Sequence, residues 1–205
     1  MKNSIKIGVL GIQGDIEENV SSTISALKRA RRRGEIKVVR HSEEIENLDG
    51  LIIPGGESTV MSSLISTQEN VFQSIKRRIS EGMSVMGICA GMILLSRRAY
   101  DRVIGETKQN LLSVLDIVVE RNAFGRQNES FETYLKIPLI GKTKFKAIFI
   151  RAPIVTEIGA GVDVVAKFDE KIVAVKQNNI IATAFHPELI DDKLHTLFIK
   201  SVSQV

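Results

Sequence analysis

Short apolar runs alternate with segments of helical periodicity through the first half of the chain, and this alternation restricts the fold more than any other feature. Residues 5–10 form a nearly continuous apolar run, which is typical of a buried parallel strand. Apolar residues then recur at helical spacing between 16 and 27. Asp15 and Glu18 predict a capping box at the start of this helix, and Gly34 is predicted to end it.

The same pattern then repeats along the chain. Strands are predicted at 36–39, 51–53 and 84–88, and helices at 42–47, at 71–79 and from about residue 90. Strands that alternate with helices in this way form a parallel sheet with helices on both faces. In such sheets the functional groups lie at the carboxyl ends of the strands.

Closely spaced strands replace this alternation in the second half. They are predicted at 113–120, 134–137, 145–150, 162–166, 172–175 and 180–184. The turn residues between them indicate antiparallel pairing beside the parallel core, and a final helix is predicted at 192–203. A chain of 205 residues can bury one full core, so we expect a single domain over residues 1–205.

Composition and charge exclude several classes of protein. The N-terminal apolar run is too short for a signal sequence or a membrane span. The net charge is +4, but no aromatic residues or binding motif accompany the basic cluster at 29–33, so we expect no nucleic acid partner. A single cysteine, Cys89, excludes an internal disulfide and fits a reducing compartment. We therefore expect a cytoplasmic protein without membrane association.

Cys89 lies between the predicted strand 84–88 and a helical segment, within the sequence GICAG. A nucleophile on such a sharp strand-to-helix turn is expected to project from the sheet, and the flanking glycines allow close backbone approach. The start of a helix also favours the thiolate over the thiol. An inert buried cysteine is the alternative interpretation.

His186 follows the predicted strand 180–184 and precedes Pro187 and Glu188. Because Pro187 favours extended backbone, His186 and Glu188 can point to the same side. The carboxylate can then hold one ring nitrogen as N–H and leave the other to accept a proton from sulfur. The other two histidines, His41 and His195, are predicted to be surface or boundary residues.

The loop 54–59, with the sequence PGGEST, follows the third predicted strand and precedes a helix. Its glycines let backbone N–H groups converge on an anion, either an oxyanion or a substrate carboxylate. No lysine follows them as a Walker phosphate loop requires. Three histidines without ligand spacing and one cysteine predict no transition-metal site, and no cofactor is expected.

Several motifs together resemble one known family. In chain order they are GVLGIQGD, LIIPGGEST, GICAG, VVERNAFGRQ, SFE, FIRAP and AFHPEL. Across nearly the whole chain they are similar to the glutaminase subunits of pyridoxal 5'-phosphate synthase, in the class I glutamine amidotransferase family. The resemblance implies an α/β fold, a flavodoxin-like three-layer sandwich with a mainly parallel central sheet and additional antiparallel strands in the C-terminal half.

The resemblance also implies a substrate and residue roles. L-Glutamine would be hydrolysed to L-glutamate and ammonia, with Cys89 as nucleophile, His186 as base and Glu188 orienting the base. The implied glutamine contacts are Gly56, Glu57, Ser58, Arg121, Ile150 and Arg151. Backbone N–H groups of Gly56 and Ala90 are the expected oxyanion hole. Gln13 and Asn19 are expected at the interface with a pyridoxal 5'-phosphate synthase subunit, in a large hetero-oligomer.

Two positions depart from the family pattern. Asn19 stands where members often have histidine, and Ile88 stands where they often have threonine. Neither belongs to the predicted triad. Two other functions stay open from the residues alone: another cysteine-dependent amidohydrolase on the same fold, and a non-catalytic regulatory subunit.

Overall fold

The computed structural model describes residues 4–124 and 130–202. Most strands in these ranges belong to one large mixed sheet. The strands are β1 (Ile5–Leu10), β2 (Gly34–Val39), β3 (Gly50–Ile53), β4 (Ser84–Ile88), β5 (Ser96–Asp101), β6 (Gly105–Glu106), β7 (Leu115–Arg121), β8 (Ser130–Leu135), β9 (Phe145–Ile150), β10 (Ile154–Ile158), β11 (Asp163–Phe168), β12 (Lys171–Gln177) and β13 (Ile180–Thr183). The helices are α1 (Ile16–Arg29), α2 (Ser42–Ile45), α3 (Ser58–Thr67), α4 (Val71–Ser80), α5 (Ala90–Leu95) and α6 (Lys193–Val202).

The parallel core of the sheet has the arrangement that the sequence predicts. Its strands lie side by side in the order β2, β1, β3, β4 and β13, and every neighbouring pair is parallel. The strand β13 comes from the end of the chain and lies directly beside β4. The segments that follow these five strands therefore all leave the sheet at the same edge, and they include those after β1, β3, β4 and β13.

Helices pack in two groups, which confirms the expected α/β sandwich. The first group consists of α1 and α6, which contact each other. The second consists of α2, α3, α4 and α5, in which α3 contacts α4 and α5, and α4 contacts α2. The core is formed almost entirely by buried aliphatic side chains from the sheet and from the inner faces of these helices. Among the described residues, no helix combines the length and the apolar character needed to cross a bilayer.

The second half of the sheet is only partly as predicted. Beyond β13 the order continues β12, β10, β7, β5 and β6, and β8 and β9 form a separate two-stranded sheet. Antiparallel pairing holds for most of these strands, but β5 and β7 are parallel. The strands β5, β6 and β10 lie outside the predicted strands. The sequence of β5, SRRAYD, follows α5 directly without a turn residue and has no alternating apolar pattern, so tertiary pairing decides its conformation.

Both predictions for the ends of α1 are wrong. Asp15 occupies the N-cap position, but its side chain makes no capping hydrogen bond, so the predicted capping box with Glu18 is absent. The helix ends at Arg29, with Ala30 as its C-cap, and Gly34 is instead the first residue of β2. The predicted terminal helix is present as α6, and Ser203 lies outside the described residues.

A cluster of phenylalanine rings joins the two-stranded sheet to the main sheet. Its members are Phe124, Phe131, Phe145, Phe149, Phe168 and Phe185. Phe131 stacks on Phe149 with ring centroids 4.8 Å apart, and Phe149 contacts Phe185 at 5.6 Å. The backbone N–H of His186 donates to the carbonyl of Ile148 at 2.9 Å. The ring cluster and this bond hold β9 against the chain that follows β13.

His195 lies in the core, which corrects its prediction as a surface or boundary residue. Its side chain is fully buried between α6 and α1, and Nε2 is 3.0 Å from Oδ1 of Asn19. Burial lowers the pKa of His195 to about 4, although Asp191 raises it in part. The ring is therefore neutral at neutral pH, and Nε2–H donates to Asn19. The prediction for His41, in contrast, is confirmed, because His41 is exposed.

We expect His195 to make the protein less stable in acid. In the unfolded chain this residue is protonated below about pH 6.5, whereas in the folded chain it is protonated only below about pH 4. The free energy of unfolding therefore decreases as the pH falls through this window. The decrease due to His195 is about 2 kcal/mol between pH 7 and pH 4.5. Urea denaturation of wild type and His195→Gln at both pH values measures it.

In the His195→Gln variant the amide can still donate to Asn19, but no proton is taken up, so the acid loss should shrink. The control is His41→Gln, which removes an exposed histidine and should keep the wild-type pH dependence. Equal acid loss in wild type and His195→Gln would contradict the buried neutral ring.

Candidate active site

Cys89 occupies a strained turn between β4 and α5, as its sequence context predicts. Its φ is 49° and its ψ is −100°, a conformation that a non-glycine residue rarely adopts. A backbone bond from Cys89 N–H to the carbonyl of Thr183, at 2.7 Å, ties this turn to β13. The sulfur does not project clear of the sheet, however, because the residue is only 6% exposed and lies at the base of a pocket.

The glycines on either side of Cys89 allow the close packing that holds the turn. A Cβ at Gly91 would lie 2.2 Å from the carbonyl oxygen of Ile53, at the end of β3. A Cβ at Gly87 would lie 2.4 Å from a methyl group of Leu95. No side chain fits at either position without moving the backbone of β3 or the helix α5. The sequence GICAG is thus explained by contact between β3, β4 and α5.

His186 and Glu188 form the pair predicted from their spacing. His186 Nδ1 lies 2.8 Å from Oε1 of Glu188, whose side chain is fully buried in the 3-10 turn Pro187–Leu189. A second carboxylate, that of Asp15, lies 3.2 Å from the same nitrogen. Since Nδ1 faces the two carboxylates, Nε2 is the ring nitrogen that remains for Cys89, which lines the same pocket as His186.

These contacts determine the protonation of the histidine ring. Burial alone would lower the pKa of His186, but hydrogen bonds to Asp15, Cys89 and Glu188 outweigh it and raise the pKa to about 12. The ring is therefore an imidazolium at neutral pH. An imidazolium beside a cysteine is one of the environments in which a cysteine acts as a nucleophile.

The pocket above the sulfur has a volume of about 270 Å³. It is lined by Gln13, Gly56, Glu57, Ser58, Cys89, Ile93, Arg121, Asn122, Ile150, Arg151 and His186. All six residues predicted to contact glutamine are in this group. Residues from the two halves of the chain thus meet at one site, and the pairing of β13 with β4 is what brings His186 to the side of Cys89.

Glu57 and Arg121 form the charged wall of the pocket. The Arg121 guanidinium donates to Oε1 of Glu57 at 2.8 Å and to Oγ1 of Thr59 at 3.0 Å. The Glu57 carboxylate also accepts the backbone N–H groups of Thr59 and Val60 and so caps α3. Burial raises the pKa of Glu57, but these N–H donors and Arg121 outweigh it and lower the pKa below its usual value. Glu57 therefore stays ionised. Its capping of α3 is a structural role that the sequence did not suggest.

The remaining predicted contact residues differ in exposure. Ser58 is almost fully buried, and its hydroxyl donates to Oε1 of Gln109 at 3.2 Å. Ile150 is 37% exposed, and its carbonyl oxygen lies 3.9 Å from the sulfur of Cys89. Arg151 is exposed and has a positive φ of 42°. The GRQ part of the motif RNAFGRQ lies outside the described residues.

Comparison with known proteins identifies the kind of enzyme to which this pocket belongs. A family model described as the SNO glutamine amidotransferase family matches residues 9–204. The chain belongs to this family. Membership confirms the resemblance seen in the sequence motifs, and it makes the protein a cysteine-dependent glutamine amidohydrolase.

Individual relatives of this amidotransferase are similar over nearly their whole length. The pyridoxal 5'-phosphate synthase subunit PdxT of Nitrosopumilus maritimus is 48% identical, over 98% of this chain and 98% of its own. The protein of the same name from Archaeoglobus fulgidus is 46% identical, over 96% of this chain and 98% of its own. A crystal structure of a glutamine amidotransferase superimposes with a TM-score of 0.82 at 39% identity, covering 96% of this chain and 98% of that one.

Two of the amidotransferase's predicted residue roles concern the oxyanion. Gly56 lines the pocket, and a Cβ there would lie 2.5 Å from Oε1 of Gln13, whose side chain also accepts the Glu57 N–H at 2.9 Å. Ala90 follows Cys89 as the first residue of α5 and is almost fully buried. The backbone N–H groups of Gly56 and Ala90 remain the predicted oxyanion donors.

The two residues predicted to contact a partner differ sharply in position. Gln13 is half-buried in the loop after β1 and lines the pocket. Asn19 is fully buried in α1, where its amide donates to the carbonyl of Asp15 at 2.7 Å and its Oδ1 faces His195. Asn19 therefore has no surface for a partner in this structure. The second departure from the family pattern, Ile88, is likewise fully buried.

Several residues of the site were not predicted from the sequence. The sequence predicts Asp15 as a helix cap and indicates no separate role for Ile93 or Asn122. The sequence contains one signal for Asp15, because it directly follows the motif GIQG at the end of a strand. Carboxylates at that sheet edge are candidates for the site.

Asp15, His186 and Glu188 also present ligand atoms within 4.8 Å of one another, which is compatible with a cation site. Both carboxylates already contact Nδ1 of His186. The proton on that nitrogen is therefore sufficient to explain why the two carboxylates lie together, without a metal ion. The sequence expectation of no metal site stays a prediction.

Proposed function

We propose that this amidotransferase hydrolyses L-glutamine to L-glutamate and ammonia and passes the ammonia to a synthase subunit that makes pyridoxal 5'-phosphate. Membership in the family and the similarity to subunits named PdxT support the proposal. The observation that carries it is that Cys89 and His186 line one pocket and that the buried Glu188 is bonded to the ring of His186.

The proposed reaction begins from a thiolate–imidazolium pair of Cys89 and His186. The Cys89 thiolate adds to the side-chain amide carbon of glutamine, and backbone N–H groups of Gly56 and Ala90 stabilise the oxyanion. His186 then donates its Nε2 proton to the leaving nitrogen, so that the C–N bond breaks and ammonia departs. The neutral ring next accepts a proton from water, which attacks the γ-glutamyl thioester. Glutamate leaves, and the ion pair is restored.

Recognition of glutamine is proposed to depend on the charged wall. The Arg121 guanidinium suits the α-carboxylate of the substrate, and the ionised Glu57 suits its α-ammonium. Since the two side chains already pair with each other, they present one positive and one negative group side by side. An amino acid zwitterion matches this arrangement, whereas an amide without the amino acid group does not.

We expect Arg121→Gln to raise the KM for glutamine about 10- to 100-fold with a smaller change in kcat, because charge-assisted hydrogen bonds contribute about 1.5–3 kcal/mol. The assay is glutamate release in the presence of the synthase subunit. Arg77→Gln is the control, since Arg77 lies on α4 and pairs with Glu46 and Glu81. An unchanged KM in Arg121→Gln would favour another amide as substrate.

The partner and the location belong to the same proposal. The relatives named PdxT are described as subunits of a synthase. We propose that this chain works in the cytoplasm within a large hetero-oligomer and that Gln13 contacts the synthase subunit. The buried free thiol fits a reducing compartment.

The function is tested by mixing the chain with the synthase subunit and measuring glutamate release with and without it. We expect the two to co-elute and the rate to rise on mixing. The opposing outcome consists of two results: the chain releases no glutamate, either alone or with the synthase subunit, and a chloroketone analogue of glutamine fails to label Cys89. With both results, the non-catalytic regulatory subunit becomes the better interpretation.

A further inference from the structure

Asp15 occupies a helix N-cap position without capping the helix. An Asp at this position normally accepts a backbone N–H from the first turn, which stabilises a helix by about 1 kcal/mol. Here the side chain makes no such bond, and the backbone angles of Asp15, φ −80° and ψ 62°, depart from the extended conformation usual at an N-cap. The carboxylate is turned instead towards His186.

The groups around His186 come from four different loops. Asp15 approaches Nδ1 from the loop after β1, and Glu188 approaches the same nitrogen from the turn after β13. Cys89 comes from the turn after β4, and the backbone of Gly55 packs against the ring from the loop after β3. The other charged residues that line the pocket are Glu57, Arg121 and Arg151. Among the described residues, Asp15 and Glu188 are thus the two carboxylates in ion-pair contact with Nδ1, at 3.2 Å and 2.8 Å.

The backbone of Asp15 is fixed from both sides. Its N–H donates to the carbonyl of Gly55 at 3.1 Å, and its carbonyl accepts the amide of Asn19 at 2.7 Å. The Asn19 amide is held in turn by the buried His195. At Gly55, a Cβ would lie 2.4 Å from Cε1 of His186 and 2.9 Å from Oδ2 of Asp15. The approach of the carboxylate to the ring therefore depends on the glycine at position 55.

We propose that Asp15 is a second positioning residue for His186, sharing with Glu188 the task of orienting the ring and holding it as an imidazolium. Two carboxylates beside one Nδ1–H stabilise the charged ring more than a single carboxylate would. The two differ in access to solvent, since the Asp15 side chain is 39% exposed and that of Glu188 is fully buried. Asp15 also lies two residues from Gln13, so the loop after β1 reaches both the pocket and the ring.

The test is an NMR titration of the His186 ring in the free full-length chain. A Cys89→Ala background removes the sulfur, so that Asp15 and Glu188 are the anions that remain in contact with the ring among the described residues. In this background we expect Asp15→Asn, which keeps the shape and removes the charge, to lower the titration midpoint by about one pH unit or more. Glu17→Gln is the matched control, because Glu17 is an exposed carboxylate in the same first turn of α1.

A midpoint that falls in Asp15→Asn but not in Glu17→Gln supports the proposal. A midpoint that stays the same or rises in Asp15→Asn overturns it. Asp15→Ala is the second variant if the Asn substitution does not fold, with the same expected direction. The proposal rests on the proposed function only in taking His186 as the base. The titration needs neither glutamine nor synthase, so its failure is distinguishable from a failure of the glutaminase proposal.

Discussion

Cys89→Ala should lower glutamate release from glutamine by about 10,000-fold or more, even with the synthase subunit present. The alanine retains the fold of the strained turn but has no nucleophile, so no thioester forms. Because Cys89 is the chain's single cysteine, a chloroketone analogue of glutamine should add one label to wild type and none to the variant. Mass spectrometry of the intact chain measures the label.

Ser84→Ala is the matched control for this substitution. Ser84 begins the same strand, β4, is almost fully buried, and its hydroxyl has no hydrogen-bond partner among the described residues. Removing that one oxygen should leave turnover near the wild-type rate. Comparable turnover in Cys89→Ala and wild type would reject the thiolate mechanism and with it the assignment of the pocket.

Glu188→Gln should lower kcat about 100- to 1,000-fold with little change in KM. The amide has no charge, and its NH₂ group facing Nδ1 would favour the ring tautomer that carries its proton on Nε2, which cannot accept a proton there. In a serine protease the corresponding change in the triad costs about 10,000-fold. We expect a smaller loss here, because Asp15 still bonds to Nδ1 in the variant. Steady-state kinetics with the synthase subunit measure both parameters.

The same change at Glu46 is the control for charge loss. Glu46 pairs with Arg77 near α4 and is not among the residues that line the pocket. Glu46→Gln should keep the wild-type kcat. A loss of less than about tenfold in Glu188→Gln would mean that Asp15 alone can orient the ring, and the triad would then need Asp15 as its third member.

The parallel half of the fold was predictable because its signals are local. Its strands are short apolar runs, and the longest helix, α1, has apolar residues at helical spacing. The second half was harder, because β5 and β10 acquire their conformation from pairing with distant strands. The same limit applies to Arg121 and Arg151, which the family motifs indicated but whose positions in one pocket depend on that pairing.

The sequence by itself singled out Cys89, His186 and Glu188 as the candidate nucleophile, base and orienting carboxylate, because GICAG and AFHPEL each constrain their own backbone. Only the tertiary structure decided what surrounds them. Parallel pairing of β13 with β4 brings His186 to Cys89 across nearly half the chain, and the loop after β1 adds Asp15 to the same ring. Local sequence predicts a capping role for the Asp15 side chain, since propensity reflects only neighbours along the chain. Its partner, the ring of His186, becomes a neighbour only when the sheet has formed.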